Sequence, residues 1–324
     1  MPRSKQTLLF DRRSLQILPL SERANDVSID VVRELIPVPK KKICREIREV
    51  GRLIIQAKQK GSAVILMMGA HVLRSGMQRY IIDMMRRGYI SCLVTNGAGV
   101  IHDFEFSLIG ATTESVSRYI TAGQFGLWRE TGYINDIVNE AFAKRPESGL
   151  GEAVGRAILE GEYPFKETSL LANALQCNVP LTVHVGIGYD IIHEHPNFDG
   201  AATGALSYND FLRFVAVVQR VENGVVMNFG SAVMAPEVFL KALSMARNVA
   251  HQKGQVIQHF STLVCDLQKL PADFSKEASK DNPAYYFRPW KTMLVRTVAE
   301  GGQSFYVQGM HSYTIPVLWS ALRI

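Results

Sequence analysis

Apolar runs of strand length alternate with segments of helical period along most of this chain. Residues 63–68 form a continuous apolar run, and 72–87 then carry apolar residues at helical spacing up to Gly88. Further strands are predicted at 89–95, 179–185, 225–229, 256–265, 293–298 and 304–307. Further helices are predicted at 133–143, 150–160, 166–176, 208–221, 236–251 and 315–322. This alternation predicts an α/β fold, Rossmann-like and doubly wound, with a mostly parallel sheet and helices on both faces.

A basic segment precedes this pattern. Residues 1–60 hold 14 lysines and arginines against 7 acidic residues, whereas the whole chain has a net charge of only +6. Because acidic residues are mixed into the segment and few aromatic residues accompany it, we expect a solvated or subunit-contacting arm and no nucleic-acid partner. We divide the chain into a basic N-terminal arm and helix, 1–60, and a single α/β domain, 61–324. A polar stretch at 266–288 is predicted to be a long loop.

The composition limits the class of protein and the cellular compartment that we expect. A hydrophobic share of 47% with 20% charged residues is ordinary for a globular chain. There is no apolar run of 18 residues and no apolar signal core behind the N-terminus, so we expect neither a membrane span nor secretion. The four cysteines are scattered without a CxxC pair, which argues against zinc knuckles and a disulfide framework. We therefore expect a cytoplasmic protein.

The most informative stretch is 93–103, where an apolar strand runs into a loop that contains Gly97 and Gly99 and then delivers His102 and Asp103. Since glycine has no Cβ, the backbone of such a loop can turn tightly and approach a phosphate closely. The stretch is not the dinucleotide fingerprint GxGxxG, because His102 takes the place of the third glycine. A tight turn after a buried strand is the simpler alternative.

Two other predicted strand ends, 183–190 and 227–231, are also polar or glycine-rich. In a parallel sheet all three ends emerge at one edge, where we expect the ligand site. Four side chains near the second end could bind a metal ion: His184, Asp190, His193 and His195. Their spacing is not HExxH, and we favour a loop with polar caps and no metal.

Two residues are candidates for catalysis. His102 could act as a base oriented by Asp103, although adjacent residues rarely face each other. Lys291, which follows Trp290, could be a nucleophilic amine if it is buried beside an aromatic wall, because burial lowers the pKa of a lysine. An exposed lysine at a strand edge is the more common alternative.

These segments, in this order, resemble the deoxyhypusine synthase family. That family has a strand-loop T-T-A-G-G-V-E-E-D, a loop S-N-L-x-x-S-G, a stretch L-R-E-N-G-x-x-R-I-G-N and a loop T-D-G-S-L-G-D. The similar segments here are, in the same order, 94–103, 70–76, 128–135 and 185–190. The similarity covers about 40–322 and is strongest over 62–136.

The resemblance implies an NAD-dependent transferase. In the family, NAD takes a hydride from spermidine, an enzyme lysine captures the aminobutyl group as an imine, and the group passes to a lysine of a protein acceptor. The implied cofactor contacts are Ser75, Thr95, Asn96, Gly97, Ala98, Gly99, Asp190 and Gly230. Lys291 is the implied nucleophile, and we assign the substrate contacts to Asp103, His184 and Trp290. The family's assembly implies a homotetramer.

The match departs from the family where the substrate binds. His102 stands in place of a carboxylate, and 228–235 and 274–280 lack the histidines and the acidic residues of the corresponding family runs. The S-W-G-K motif corresponds to 288–291 and is one residue short. Asp103, Glu105, Asp190 and Glu194 could supply the missing acidic lining. Three functions therefore stay open: an NAD-dependent transferase that moves an aminobutyl-type group from a polyamine such as spermidine or from another amine, a non-catalytic relative that binds NAD or another nucleotide, and a metal-assisted hydrolase using His184, Asp190 and His193.

Overall fold

Six parallel strands form the central sheet of this computed structural model, which describes residues 9–323. In chain order they are β1 Val64–Met68, β2 Cys92–Asn96, β3 Leu181–His184, β4 Val225–Phe229, β5 Ser261–Asp266 and β6 Gln303–Gln308. Their spatial order is β3-β2-β1-β4-β5-β6, so the chain begins in the middle, winds to one edge and then returns to build the other half. This is the doubly wound Rossmann order, which confirms the predicted fold class.

Helices cover both faces of the sheet. They are α1 Arg45–Lys60, α2 His71–Arg74, α3 Gln78–Arg86, α4 Gly97–Ile109, α5 Val116–Thr121, α6 Tyr133–Lys144, α7 Leu150–Glu160, α8 Leu170–Gln176, α9 Gly200–Val218, α10 Met234–Gln252 and α11 His311–Ala321. Short 3₁₀ turns occur at Arg12–Ser14, Leu20–Glu22, Ile29–Val31, Lys40–Lys42, Lys166–Thr168, Ile191–Glu194, Pro283–Tyr286 and Arg296–Val298. Within residues 9–323, no helix is long and apolar enough to cross a bilayer.

The central strand β1 shows how the two layers of the core arise. All five of its residues are buried, as expected for a parallel strand covered on both faces. Because side chains alternate along a strand, Leu66 packs into the core beneath α1, α3 and α11, whereas Ile65 and Met67 pack into the core beneath α10. The residues of this apolar run therefore pack alternately into the hydrophobic cores on the two faces of the sheet.

The N-terminal segment packs onto the α/β domain. Residues 1–8 of the expected arm lie outside the described residues. Further along, Arg12 donates hydrogen bonds to the carbonyl oxygens of His195 and Phe198 at 3.2 and 2.7 Å. Val27–Ser28 then pairs as a short antiparallel ribbon with Ala111–Thr112. The described part of the segment therefore contacts the domain at several points, while most of its side chains up to Lys42 are exposed or half-buried.

The prediction of a strand at 293–298 is wrong. Pro289–Val295 forms a π-helical turn that leads into the 3₁₀ turn. The buried apolar residues of 289–298 recur at helical and not at strand spacing. They are Trp290, Met293, Leu294 and Val298. The helix predicted over 72–87 is also interrupted, because Gly76 adopts a φ of +74° directly against the backbone of Val31.

Candidate functional site

A cleft of about 700 Å³ lies at the carboxyl edge of the sheet, where the strand order reverses between β1 and β4. This switch point is the place where open α/β sheets bind ligands. The carboxyl ends of β1, β2, β3 and β4 line the cleft with Gly69, Asn96, His184 and Gly230 respectively. The parallel topology thus brings the three predicted strand ends together and adds a fourth, the end of β1.

Bare backbone forms the floor of the cleft between β1 and β4. The amide of Gly69 donates to the carbonyl of Phe229 at 3.0 Å, so the two loops touch. A Cβ on Gly69 would lie 2.5 Å from the carbonyl oxygen of Gly230, and Gly230 itself adopts a φ of +69°. Both positions therefore require glycine, because the backbone of Gly230 and the ring of His311 occupy the space of a side chain, and both glycines line the cleft with main chain alone.

The glycine stretch after β2 is a helix start and not the predicted loop. Helix α4 begins at Gly97, and Asn96 caps it by accepting a hydrogen bond from the Gly99 amide at 3.1 Å. A Cβ at Gly97 would collide with the carboxylate of Asp190, and one at Gly99 would collide with Thr95. Both glycines thus make room for this chain's own side chains, and neither lines the cleft.

Asp190 lies at the N-terminus of α4 and lines the cleft. Burial raises the pKa of this carboxyl to about 6, although a hydrogen bond from the Ala98 amide opposes the shift. The group is therefore ionised for the most part at neutral pH, and it titrates close to that range.

A side pocket of about 200 Å³ opens from the cleft. The residues that line both cavities are Arg74, Ala98, His102, Tyr189 and Asp190. The Nδ1 atom of His102 lies 2.7 Å from the hydroxyl oxygen of Thr112. Burial lowers the pKa of His102 to about 4, so its imidazole is neutral at physiological pH. His102 and Asp190 are therefore the two titratable groups that line both cavities and could accept a proton.

Two carboxylates form the acidic side of this pocket. Glu114 accepts hydrogen bonds from the Gly126 amide at 3.0 Å and from Nε1 of Trp128 at 2.8 Å, and burial raises its pKa. Glu105 is paired with Arg23 through two hydrogen bonds of 2.8 Å. Burial alone would raise the pKa of Glu105, but Arg23 outweighs burial and holds the pKa below its ordinary value. Glu114 forms no salt bridge within the described residues.

Arg74 is the free cation at the junction. Its Nε is buried and makes no hydrogen bond within residues 9–323. The nearest polar contact of the guanidinium is Nε2 of His71, 3.5 Å from Nη1. A buried donor without a partner is costly, so this group is suited to an anionic ligand.

The predicted site residues divide into those that line the cleft and those that do not. Asn96, Ala98, His102, His184, Asp190 and Gly230 line it. Thr95, Gly97 and Gly99 lie directly behind the lining, and the Thr95 hydroxyl is buried without a partner among the described residues. Ser75 lies outside, since its hydroxyl donates to the carbonyl of His71 at 2.7 Å.

Asp103 is not a substrate contact in this structure. Its carboxylate is 1% exposed and accepts hydrogen bonds from the Ser169 hydroxyl at 2.5 Å and the Leu170 amide at 2.7 Å. It therefore caps the start of α8. The physical reason is the helix: neighbouring residues on α4 point about 100° apart, so His102 faces the cleft while Asp103 faces the core.

Lys291 and Trp290 do not reach the cleft either. The ammonium of Lys291 lies over the ring of Tyr285, 3.9 Å from its centroid. Trp290 is buried in the core beneath α10, and its Nε1 donates to the carbonyl of Phe274 at 3.0 Å. The π-helical turn that replaces the predicted strand directs both side chains away from the edge of the sheet where ligands bind.

The four predicted metal ligands do not converge. His184 contacts the Thr182 hydroxyl at 3.1 Å and packs against Phe214, while His195 donates to the carbonyl of Gly126 at 2.9 Å. His193 accepts hydrogen bonds from the amides of Gly188 and Asp190 at 3.0 and 3.2 Å. Across residues 9–323, no group of three or more His, Cys, Asp and Glu side chains could hold a metal ion.

Sequence reasoning did not find Arg74, Glu114 and Tyr189. Arg74 lies within the segment that resembles a family loop, but its charge matched the polar face of the predicted helix. Glu114 follows Thr113, whose φ of +69° turns the chain into the side pocket, and no motif marks this turn. Tyr189 follows two glycines in the β3 loop and is 85% exposed above both cavities.

Fold and site together define an α/β protein with a ligand cleft of the Rossmann type. A family model for the C-terminal, Rossmann-fold region of arginine dihydrolase ArgZ-like proteins matches residues 43–146, about a third of the chain. No curated protein matches the chain. The chain is therefore related in fold to the ArgZ-like Rossmann region, and the comparisons do not single out the deoxyhypusine synthase family.

Solved structures support this placement at the level of fold. Unliganded AgrE has a TM-score of 0.52 and 11% identity, and AgrE with ornithine and NAD+ has 0.50 and 13%; each match covers 90% of this chain and 34% of AgrE. A protein described as a deoxyhypusine synthase from Entamoeba histolytica has a TM-score of 0.46 and 10% identity, covering 85% of this chain and 86% of its own. The last score is too low to carry an argument. The chain spans about a third of the length of AgrE.

Proposed function

We propose that this chain binds NAD in the cleft and catalyses hydride transfer with a small amine held in the side pocket. The observation that carries this proposal is the meeting of two compartments at His102. One has about 700 Å³, within the size range of cofactor sites, and the other has about 200 Å³ and an acidic side. AgrE, which shares the fold, was solved with ornithine and NAD+, an amine and this cofactor together.

The residues of the cleft fit a dinucleotide. Gly69 and Gly230 line the cleft with main chain alone, and Arg74 offers an unpartnered cation to the pyrophosphate. The carboxylate of Asp190 takes the Ala98 amide at the first turn of α4, and it can also accept hydrogen bonds from ribose hydroxyls. When bound, NAD+ supplies a hydride acceptor.

The residues of the side pocket fit an amine. An ammonium group must lose a proton before the neighbouring C–H bond can give up a hydride, because the nitrogen lone pair then stabilises the developing cation. His102 is neutral and accepts that proton, while Glu114 attracts the cationic form. In balance, the ammonium form would lose one proton to His102 and one hydride to bound NAD+, and it would become an iminium ion.

We do not extend this proposal to aminobutyl transfer from a polyamine such as spermidine. That reaction needs a lysine beside the amine, and the described lining of both compartments contains none. A protein acceptor and a homotetramer stay predictions. The position of Lys291 outside the cleft favours, as the second candidate, a protein that binds the nucleotide without catalysis.

The first test is binding of NAD+ to the full chain by calorimetry. Ala98→Asp places a carboxylate in the first turn of α4, where it favours the helix but repels a pyrophosphate, and Ala98→Asn has almost the same shape without the charge. We expect wild type and Ala98→Asn to bind, and Ala98→Asp to bind at least about tenfold more weakly, about 1.4 kcal/mol. Equal affinity of the two variants, or no binding by wild type, would contradict the proposal.

Turnover separates the two candidate functions. We expect wild type to reduce NAD+ when it is supplied with small amines, including ornithine and spermidine, and His102→Asn to be slower by about a hundredfold or more. Binding of NAD+ without reduction by any amine in the series would favour the non-catalytic candidate.

A further inference from the structure

We propose that Glu105 and Thr112 are positioning residues that hold His102 in one tautomer, with its proton on Nδ1 and its lone pair on Nε2 facing the two compartments. The role of this lone pair as a proton acceptor rests on the proposed function. The tautomer itself does not, and it can be measured separately.

Hydrogen bonds connect Glu105 to Thr112 and Thr112 to His102, and we call this series the relay. It begins at the carboxylate of Glu105. This carboxylate is 1% exposed and accepts two hydrogen bonds of 2.8 Å from Arg23. It accepts two more, both of 2.6 Å, from the hydroxyls of Thr112 and Thr131. An ionised carboxylate has no proton to give, so every partner must donate to it. The single hydroxyl proton of Thr112 is therefore committed to Glu105.

The next link is the contact between Thr112 and His102. The two polar atoms, Oγ1 of Thr112 and Nδ1 of His102, are 2.7 Å apart. Since the proton of Thr112 points to Glu105, its oxygen can only accept, and Nδ1 of His102 must donate. A neutral imidazole carries one proton, so Nε2 is the unprotonated nitrogen.

The position of the ring shows where this lone pair lies. His102 lines both compartments, and the edge of the ring that holds Nδ1 is used against Thr112. Nε2 makes no hydrogen bond within the described part of the chain, and it is the nitrogen left to meet a ligand.

The relay depends on segments that are distant in sequence. Glu105 lies on the same helix as His102, but Thr112 belongs to the ribbon and pairs with Val27 of the N-terminal segment. Arg23, on that same segment, neutralises Glu105. The N-terminal segment thus helps to position the two residues, Thr112 and Glu105, that orient His102.

Four charged or titratable groups act on the protonation of His102: Glu105, Arg74, Arg23 and His71. Glu105 favours the imidazolium ion, and the other three disfavour it. Burial, together with the charges of Arg74 and Arg23, keeps the imidazole neutral. A proton acceptor is therefore present without any pH adjustment near neutrality.

The test is nitrogen NMR of the full chain labelled in its histidines, with the His102 signals identified by their loss in His102→Asn. Two-bond correlations between ring protons and nitrogens distinguish the two tautomers. We expect wild type to show a protonated Nδ1 and an unprotonated Nε2. A protonated Nε2 in wild type would overturn the proposal, and this measurement needs no variant of the relay.

The matched variants are Thr112→Val, which keeps the shape but removes the hydroxyl, and Thr112→Ser, which keeps the hydroxyl. We expect Thr112→Val to shift His102 toward the Nε2-protonated form that histidine prefers in water, and Thr112→Ser to retain the wild-type tautomer. A folded Thr112→Val with the wild-type tautomer would show that Thr112 does not set it.

Kinetics then distinguish this proposal from the proposed function. We expect Thr112→Val to bind NAD+ as wild type does but to reduce it at least about tenfold more slowly, with Thr112→Ser restoring most of the rate. If wild type holds the expected tautomer but binds no NAD+, the relay stands and the proposed function fails. If NAD+ binds and the tautomer is absent, the relay fails alone.

Discussion

Helix α4 and the segment 289–298 each carry a residue predicted to be catalytic, but only the residue on α4 lies at the cleft. Helix α4 begins directly after β2, so its first turns must lie at the ligand-binding edge of a parallel sheet. Lys291 lies in the long connection from β5 to β6, and its position depends on how that connection packs. His102 reaches the cleft, whereas Lys291 lies over Tyr285. A side chain close to a strand end is placed by topology, and one far from a strand end is not.

The two regions also differ in their electrostatics. Around α4, charged groups are buried and held by several partners, as the pair of Glu105 and Arg23 shows. In the other region, the ion pair between Arg296 and Glu277 is partly exposed to solvent. Water screens the second kind of pair but not the first. Substitutions should therefore have large effects near α4 and small effects near Lys291.

The largest effect is expected for Glu105→Gln. The substitution removes the charge that faces Arg23, whose side chain is 1% exposed, and leaves a buried cation without a counter-charge. Breaking a buried pair in this way costs about 3–5 kcal/mol. We expect the free energy of unfolding, measured by urea titration, to fall by that amount.

The matched control for Glu105→Gln is the same chemical change at the surface. Glu49 pairs with Arg52 on α1, and both side chains are exposed to solvent. We expect Glu49→Gln to lower the free energy of unfolding by less than about 1 kcal/mol. Equal losses for the two variants would remove the distinction between the buried network and the surface pairs.

An intermediate effect is expected from the titration of His184. Burial lowers the pKa of this cleft imidazole from 6.5 to about 4. As pH falls from 6.5 to 4, the unfolded chain takes up a proton before the folded chain does, so His184 progressively favours unfolding. The wild type should lose about 3 kcal/mol relative to His184→Gln across this window, since each unit is worth about 1.4 kcal/mol.

The comparison with His184→Gln is needed because other groups titrate in the same range with the opposite sign. Burial raises the pKa values of Asp103 and Asp190 to about 6, so acid favours their folded forms. Their contributions cancel when the two proteins are compared at each pH. A stability difference that does not change between pH 6.5 and pH 4 would mean that His184 is not a buried neutral imidazole.

The sequence was sufficient for the six strands of the sheet and for the edge at which the cleft lies, although it also predicted a seventh strand at 293–298 that the fold does not contain. The apolar run 63–68 is uninterrupted because a parallel strand is buried on both faces, and this makes it visible in one sequence. The convergence of polar strand ends followed from the parallel topology. Asn96, Asp190 and Gly230 were found in this way.

The composition of the site could not be predicted to the same degree. Thr112 and Arg23 meet Glu105 only because a two-residue ribbon joins the N-terminal segment to the chain after α4. Such a pairing is too short to leave a pattern of alternating residues. Asp103 was misplaced because the helix starts at Gly97 and so rotates Asp103 into the core. The residue at which α4 begins therefore determines that His102, and not the adjacent Asp103, faces the cleft.

The smallest effect is expected for Lys291→Met. The variant loses a partly exposed cation–π contact with Tyr285, worth about 0.5–1 kcal/mol, and Lys291→Arg keeps the cation as a control. Because Lys291 lies outside the cleft, we expect both variants to bind and reduce NAD+ as wild type does. Intact mass after incubation with NAD+, spermidine and borohydride should show no aminobutyl adduct on wild type. An adduct at Lys291, lost in Lys291→Met, would return this lysine to the reaction and make the contrast between the two regions wrong.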